Sequence, residues 1–449
     1  MFKRILIANR GEIALRVIRA CRELGIESVA VYSLADADSP HLEQADHRVC
    51  IGGAKSEQSY LDMTAILQAA EQTECKAIHP GYGFLAENAL FAEMCAQLKF
   101  TFIGPSPHVI RLMGDKATAR RTMEAAGVPV VPGTRDIIGD VGQALCTARE
   151  IGFPVLLKAT AGGGGKGMRV CRDEAGFEPA FREASFEALK AFGNQGLYLE
   201  KFIEGGRHIE FQFMADGFGN AVHMGERECS VQRNHQKLVE ESPSPVVDAA
   251  LREEIGAIVS RAATRIGYVG AGTMEFLRDS DGKHYFMEVN TRLQVEHPVT
   301  ELCTGFDLVQ EQIRVAANCT LSMSQGDVAL TGHAIECRIN AEDPFEGFRP
   351  SPGTVESFAP PAEAEGVTVR VDTHVKPGYR IPPYYDSMIC KLIVHGADRE
   401  AARVGMLDAL ARFEVAGIKT TIPVHQRILA DDGFARGDYD TGFIGRLLG

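Results

Sequence analysis

The sequence predicts a chain of mixed class, α/β at its N-terminus and α+β towards its C-terminus, folded as three domains. Apolar strands and amphipathic helices alternate in residues 1–115, a glycine-rich segment follows a strand within residues 131–202, and paired alternating strands occur in residues 203–449. A helical linker, residues 116–130, joins the first two domains. The length of 449 residues also exceeds what one hydrophobic core supports.

The composition excludes two classes of protein. A net charge of −13, from 47 basic and 60 acidic residues, does not suit a nucleic-acid-binding surface. No apolar stretch reaches the roughly 18 residues of a membrane span. The 11 cysteines are scattered without a CxxC pair, as in reduced cytosolic proteins, and the apolar run near Met1 is too short for a signal peptide. We therefore expect a soluble, cytoplasmic protein.

The first domain is predicted to hold a parallel sheet. Short apolar runs typical of buried strands lie at 4–9, 28–33, 48–52, 76–80 and 100–104. Helices such as 12–24 and 60–71 separate these runs, and such alternation favours right-handed crossovers between parallel strands. Ligands of these sheets bind beyond the carboxyl ends of the strands. The segment 79–88, with Tyr82 between two glycines, is therefore a candidate binding loop, and an ordinary turn is the alternative.

The linker and the second domain carry candidate phosphate ligands. Residues 116–127 form a basic helix that Gly127 ends as a C-cap. In the second domain, a strand ending at Lys158 is followed by the glycine run 162–165 and Lys166. Backbone N–H groups of such a run can close on phosphate oxygens, although a flexible hairpin tip is an equal alternative because the Walker A pattern is absent.

The third domain is predicted to be rich in antiparallel strands. Strands are expected at 208–216, 220–227, 332–343, 353–358, 367–375 and 387–395. Helices are expected at 248–266 and 305–318, and Asp398 should cap a last helix that reaches about residue 415. The segment 228–237 is dense in polar side chains and is predicted to be an exposed loop.

The hairpin at 273–290 carries the main chemical signal. Asp281-Gly282 suits a two-residue type I′ turn, which would place Glu275 directly opposite Glu288. Facing carboxylates repel each other, and a hard cation such as Mg²⁺ with substrate phosphates would remove that repulsion. If the chain stays extended, one face then carries Glu288, Asn290, Arg292, Gln294 and Glu296. This pattern predicts a metal–nucleotide site joined to an anion site, with an ordinary solvated strand face as the alternative.

Six motifs in register resemble those of the biotin carboxylases of the ATP-grasp superfamily, and together they cover nearly the whole chain. They lie at 7–14, 79–88, Lys158 with 162–168, 233–237, 288–300 and 336–343. The resemblance implies a three-domain ATP-grasp architecture: an N-terminal Rossmann-like domain, a small mobile lid and a mixed C-terminal domain. It also implies carboxylation of the ureido nitrogen of biotin from ATP and bicarbonate through carboxyphosphate.

The same resemblance implies roles for individual residues. ATP contacts are expected from Lys116, Lys158, Gly163, Gly164, Gly165, Glu200, Lys201, Ile203, His208, Gln232, His235, Glu275 and Glu288. Mg²⁺ or Mn²⁺ is expected at Glu275, Glu288 and Asn290. The bicarbonate pocket is expected to comprise Lys237, Arg292, Gln294, Val295 and the base Glu296. Biotin is expected beside Tyr82 and Arg338, and Arg338 would stabilise its enolate.

Partners also follow from the resemblance. Because no Met-Lys-Met attachment signal occurs, biotin is expected on a separate biotin carboxyl carrier protein, and carboxyltransferase subunits would use the product. The expected parent complex is acetyl-CoA carboxylase, in fatty acid synthesis, with propionyl-CoA or pyruvate-type carboxylases as alternatives. A homodimer is expected, with Arg19 and Glu23 as candidate interface residues.

Two rival functions remain open at this point. Another ATP-grasp ligase, which would join a carboxylate to an amine, should lack the run 296–300 and Arg338. A nucleotide-sensing module has no need of a base such as Glu296.

Overall fold

A computed structural model describes residues 1–134, 137–159, 168–192, 196–361 and 366–449. The chain divides into two compact units. Unit 1 comprises Met1–Val128, Arg207–Phe276 and Glu288–Gly449, and unit 2 comprises Pro129–Gly206 and Leu277–Met287. None of the helices in the described ranges combines the length and the apolar character that a membrane crossing requires. All 11 cysteines are free thiols.

Unit 1 begins with the predicted parallel sheet. Its strands are β1 (Arg4–Ile7), β2 (Glu27–Ser33), β3 (His47–Gly52), β4 (Ala77–His79) and β5 (Thr101–Phe102), in the spatial order β3-β2-β1-β4-β5. The intervening helices are α1 (Gly11–Glu23), α2 (Met63–Gln72) and α3 (Ala89–Gln97). All four strand pairings are parallel, so the prediction of an α/β start is confirmed.

The linker is helical, as predicted. It contains α5 (Lys116–Ala125), which directly follows α4 (Pro107–Gly114) of the preceding region. Asp115 caps α5, because its carboxylate accepts a 2.7 Å hydrogen bond from the N–H of Thr118. The chain leaves this helix at Gly127.

Unit 2 is a three-stranded antiparallel sheet with two helices. Its elements are α6 (Val141–Ile151), β6 (Val155–Ala159), β7 (Met168–Cys171), α7 (Phe177–Phe192) and β8 (Leu197–Lys201), with β6 in the centre of the sheet. Both helices cover an apolar core that includes Leu157, Phe177 and Leu199. The predicted phosphate loop, with Gly163, Gly164, Gly165 and Lys166, lies outside the described residues.

The largest sheet has eight strands in the order β13-β12-β9-β10-β11-β14-β19-β18. The strands are β9 (Arg207–Ala215), β10 (Ala221–Arg233), β11 (Gln236–Ser242), β12 (Gly270–Arg278), β13 (His284–Asn290), β14 (His333–Asn340), β18 (Val367–Thr373) and β19 (Met388–Gly396). Pairing from β9 through β18 is antiparallel, which confirms the predicted α+β class of this region.

Helices accompany this sheet. They are α8 (Ala249–Arg265), α9 (His297–Thr304), α10 (Leu308–Ala316), α11 (Arg399–Arg412), α12 (Ile422–Ala430), α13 (Asp432–Arg436) and α14 (Phe443–Leu448). Short strands complete the region: β15 (Glu342–Asp343), β16 (Arg349–Pro350), β17 (Ser357–Ala359) and β20 (Glu414–Ala416). The predicted Asp398 cap is confirmed by a 2.9 Å hydrogen bond from the N–H of Ala401. The apolar core between α11 and the sheet includes Ile335, Leu392 and Met406.

The prediction of an exposed loop at 228–237 is wrong. β10 continues to Arg233 and β11 begins at Gln236, so only Asn234 and His235 form the turn, with φ of +49° and +64°. The polar composition led to the prediction of a loop, but these strands bury their charged side chains against one another. Polarity here indicates an internal ion-pair network.

The predicted two-residue turn at Asp281-Gly282 is also wrong. The N–H of Asp279 donates to the carbonyl of Lys283 at 2.9 Å, and the N–H of Gly282 donates to the carbonyl of Asp279 at 3.1 Å, so the turn has three residues. The Asp279 carboxylate binds two further N–H groups of the turn, and Gly282 has a φ of +87° that suits glycine. The opposition of Glu275 and Glu288 therefore does not follow from this turn. The chain is also not extended to Glu296, because β13 ends at Asn290.

Candidate active site

Glu296 lies at the centre of the candidate site, fully buried at the start of α9. Its carboxylate accepts hydrogen bonds from the Lys237 ammonium at 2.5 Å and from Nη2 of Arg338 at 2.8 Å. Burial alone would raise the pKa of Glu296, but the charges of Lys237, Arg338 and Arg227 hold it well below its usual range. Glu296 is therefore ionised and held between two cations, and an ionised carboxylate is able to accept a proton.

Lys237, on β11, connects Glu296 to two more carboxylates. Its Nζ lies 2.6 Å from Glu210 and 3.4 Å from Glu275. Glu210 is in turn bound at 2.5 Å by Nε of Arg227, whose side chain is completely buried. One ammonium therefore holds three carboxylates, from three different parts of the chain, at one point.

Glu275, on β12, is ionised as well. Its Oε1 accepts from Nδ2 of Asn290 at 2.7 Å and from Nε2 of Gln294 at 3.2 Å, and its Oε2 lies 3.1 Å from Nε2 of His208. Burial would raise the pKa of Glu275, but Lys237 and His208 lower it below the ordinary range. The structure thus joins His208, Asn290 and Gln294 at one carboxylate.

Glu288 has a different setting. Its half-exposed side chain lies 3.4 Å from the Nζ of Lys116, whose side chain is 86% exposed. The oxygen donors of Glu275, Glu288 and Asn290 are hard ligands and fit Mg²⁺ that also binds phosphate oxygens. In the described ranges, the groups of three His, Cys, Asp or Glu that could hold a metal are His208-Glu210-Glu275 and Glu210-Cys229-Glu296.

Arg292 extends the site towards the first domain. Its Nε donates to Glu87 at 2.8 Å, Nη1 donates to Oε1 of Gln294 at 2.9 Å, and Nη2 donates to Oδ1 of Asn290 at 3.2 Å. Glu87 belongs to the predicted binding loop 79–88 and also accepts from the N–H of Thr291 at 2.9 Å. Arg292 and Gln294 therefore face the same site although the strand ends before them.

Arg338, on β14, has both sides of its guanidinium engaged. Nε donates to Glu240 at 2.6 Å, and Nη2 donates to Glu296 at 2.8 Å. Its backbone carbonyl accepts from Thr421 and His425 at 3.1 Å and 2.7 Å, which fixes the strand below it. Arg338 and Glu296 are thus adjacent, as the predicted roles require.

Tyr82 is connected to the same site through Glu12 and Lys391. The Tyr82 hydroxyl donates to Glu12, which lies 3.3 Å from the Nζ of the completely buried Lys391. That ammonium also donates to the carbonyl of Val295, the residue directly before Glu296, at 3.0 Å. Gly81 permits this arrangement, because its φ is +63° and a Cβ there would lie 2.9 Å from the amide of Asn9.

Within unit 2, Lys158 forms an ion pair with Glu200. Nζ of Lys201 donates to the carbonyls of Gly152 and Phe153 at 3.0 Å and 2.9 Å, so this ammonium is used inside the unit. Ile203 is half-buried. In unit 1, Gln232 is half-buried on β10 and His235 is exposed in the turn that follows.

The residues of the network that the sequence analysis missed include Glu210, Arg227 and Lys391. A signal for the first existed, because His208, Glu210 and Gln212 alternate along β9 and share one face. Arg227 donates to Gln212 at 2.8 Å and to Thr300 at 3.0 Å, contacts that no local pattern indicates.

Comparison with known proteins adds an independent finding. Family profiles match the chain over residues 1–110 (biotin carboxylase, N-terminal domain), 115–324 (carbamoyl-phosphate synthase L chain, ATP binding domain) and 336–446 (biotin carboxylase C-terminal domain). The chain is 54% identical over 445 residues to biotin carboxylase 1 of Bacillus subtilis, covering 99% of this chain and 98% of that protein.

Solved structures agree with these matches. The biotin carboxylase domain of a thermophilic 2-oxoglutarate carboxylase bound to bicarbonate is 48% identical, with a TM-score of 0.95, and the match covers 100% of this chain and 99% of that one. The dimer of this domain from Hydrogenobacter thermophilus, in complex with MgADP, ADP and bicarbonate, is 49% identical, with a TM-score of 0.89 and the same coverage.

Proposed function

The chain belongs to the biotin carboxylase family, and on that premise we propose that Glu296 is the base of an ATP- and bicarbonate-dependent carboxylation of biotin. The observation that carries this assignment is the buried Glu296 carboxylate between Lys237 and Arg338. A sensor would not need an ionised base in this setting, and an amine-directed ligase would not need Arg338 beside it.

In the first half-reaction, bicarbonate binds among Lys237, Arg292 and Gln294. Glu296 takes the bicarbonate proton, a bicarbonate oxygen bonds to the γ-phosphorus of ATP, and the bond from that phosphorus to ADP breaks. The products are carboxyphosphate and ADP, with the proton on Glu296. Mg²⁺, when held by Glu275, Glu288 and Asn290, supplies positive charge for the phosphate oxygens.

In the second half-reaction, carboxyphosphate breaks into CO₂ and phosphate, and the phosphate takes the proton from the ureido nitrogen of biotin. That nitrogen then bonds to the carbon of CO₂. Negative charge develops on the ureido oxygen before this bond forms, and Arg338 stabilises it there. Tyr82 lies on the biotin side of the site, oriented by Glu12.

The test is ADP release measured with and without bicarbonate and free biotin. We expect ADP release that depends on bicarbonate, and carboxybiotin when biotin is added. ADP release that depends on an added amine would favour the rival ligase, and nucleotide binding without turnover would favour the sensor.

Two parts of the proposal concern the lid and the carrier. Residues 131–202 act as a lid in which Gly163–Gly165 bind ATP phosphates. ATP should therefore slow amide hydrogen exchange at 162–167, and unchanged exchange at saturating ATP would contradict this.

Biotin is presented by a separate carrier protein, and the carboxybiotin is used by carboxyltransferase subunits. A biotinylated carrier should therefore be carboxylated with a higher kcat/KM than free biotin.

A further inference from the structure

Two glutamates that the mechanism does not use lie beside Arg338. Glu240 on β11 and Glu336 on β14 are directly opposite each other in the antiparallel register, and both are completely buried. Directly opposed side chains on neighbouring strands are in contact range, and like charges there are destabilising. This pair therefore needs either a cation between its members or a proton.

Their hydrogen bonds are very unequal. Oε1 of Glu240 accepts from Nε of Arg338 at 2.6 Å. Oε2 of Glu240 and both oxygens of Glu336 are buried without any hydrogen-bond partner in the parts of the chain that the structure describes. An ionised carboxylate is very costly to bury in this state, whereas a protonated one is far less so.

The surrounding charges do not supply a second cation for the pair. The groups that act on it are Arg338 from its own sheet, Lys237, Lys391 and Glu296. Arg338 is shared with Glu296, Lys237 is held by three other carboxylates, and Lys391 lies 3.3 Å from Glu12 and 3.9 Å from Asp372. Burial raises the pKa of Glu240 to about 7, although the charge of Arg338 lowers it. Burial also raises the pKa of Glu336 well above its usual range, although the charge of Lys391 lowers it.

We propose that the pair Glu240 and Glu336 holds a single proton, carried by Glu336, and that the two residues act together as positioning residues for Arg338. Glu240 carries the negative charge that aligns the guanidinium of Arg338. Glu336 stays neutral, so the pair brings one negative charge to the one positive charge of Arg338. This inference rests on the proposed function only in giving Arg338 its role towards biotin. The proton on Glu336 can be tested without any measurement of activity.

The first test is thermal stability of Glu336→Gln against pH. Folding raises the pKa of Glu336, so the wild type loses stability as pH rises above about 4.3, the ordinary glutamate value. Glutamine cannot ionise, so Glu336→Gln should gain in unfolding midpoint relative to wild type between about pH 5 and pH 8, by roughly 2 °C or more. A loss that grows with pH would overturn the proposal.

Glu241→Gln is the matched control on the same strand. Glu241 is equally buried, but it accepts from His333 at 2.6 Å and from Arg399 at 2.7 Å. Burial would raise its pKa, yet these partners lower it to about 2. Its stabilisation is thus present above the unfolded pKa of about 4.3 and is lost as pH falls below that value towards about 2. Glu241→Gln should therefore lose stability at neutral pH, opposite in sign to Glu336→Gln.

The second test measures carboxybiotin formed per ATP cleaved. Glu240→Gln removes the charge that aligns Arg338 and should lower this ratio about tenfold. In the wild type, the ratio of carboxybiotin to cleaved ATP should fall at alkaline pH, because the pair then loses its proton and neutralises Arg338 twice. Glu336→Gln cannot lose this proton and should abolish that fall. Retention of the same alkaline fall in Glu336→Gln would overturn the proposal. A wild type that makes no carboxybiotin would instead refute the proposed function, and the stability test would still apply.

Discussion

Glu296 is placed to act in the first half-reaction, and Glu296→Gln tests this directly. The variant keeps the shape of the side chain but cannot accept the bicarbonate proton. We expect bicarbonate-dependent ATP cleavage and carboxybiotin formation to fall together by about 10²–10⁴-fold, the range of a general base. Arg349→Gln, at an exposed arginine on β16, is the control and should keep both activities. Near-normal ATP cleavage in Glu296→Gln would exclude the assigned role.

Arg338 is placed to act later, and Arg338→Gln should separate the two half-reactions. Carboxybiotin per ATP should fall further than ATP cleavage, because Arg338 meets developing charge only on biotin. Since Glu296 also loses one of two cationic partners, its lowered pKa should rise. The acid limb of ATP cleavage should therefore move to higher pH, which a pH–rate profile measures. Equal losses in both activities without that shift would contradict the division of roles.

At the scale of single residues, five of the residues that sequence motifs indicate are brought together, whereas the residues that support them are not foreseeable. Glu275, Lys237, Gln294, Glu296 and Arg338 form one hydrogen-bonded network. The supporting contacts join residues far apart in the chain, and no local spacing encodes which distant side chains end within hydrogen-bond distance.

At the scale of elements, the Asp398 cap of α11 can be tested in isolation from the site. Asp398→Ala leaves the N–H of Ala401 without its 2.9 Å partner and should cost about 0.5–2 kcal/mol in the free energy of unfolding. Asp398→Asn retains an acceptor oxygen and should recover most of that loss. Urea unfolding of the three proteins measures the difference, and equal stability of all three would exclude the capping role.

Helices and strands are predictable from the sequence where hydrophobic periodicity and capping residues agree. They are less predictable where polar side chains are buried. The parallel sheet follows from its apolar runs, and the helix after residue 115 follows from the segment 116–127 that Gly127 ends. The hairpin at Asn234-His235 does not, because its strands bury charged side chains that pattern analysis assigns to solvent. The turn at Ser280–Gly282 has three residues instead of the expected two, because the Asp279 carboxylate accepts hydrogen bonds from the N–H groups of Asp281 and Lys283. Such side-chain contacts compete with the expected turn type.

At the scale of the whole molecule, we predict a homodimer that involves α1. Arg19 and Glu23 are exposed on this helix, and the Glu23 carboxylate accepts from Nε2 of Gln310 at 2.6 Å, which holds it in place. Sedimentation at micromolar concentration should give a dimer, and Arg19→Glu should shift it towards monomer because it reverses a charge on the exposed face of α1 that would form the interface. Arg261→Glu, on α8, is the control. A wild-type monomer would contradict the prediction.

The contrast between Lys116 and Lys391 makes this protein suitable for chemical footprinting. An amine-acylating reagent reaches Lys116, whose side chain is 86% exposed, but has no access to Lys391, which is completely buried. Mass spectrometry should find Lys116 acylated in the free enzyme and protected by ATP, while Lys391 stays unmodified until the chain unfolds. Acylation of Lys391 would then report the loss of native packing around Val295, and protection of Lys116 would report nucleotide occupancy, in a single sample.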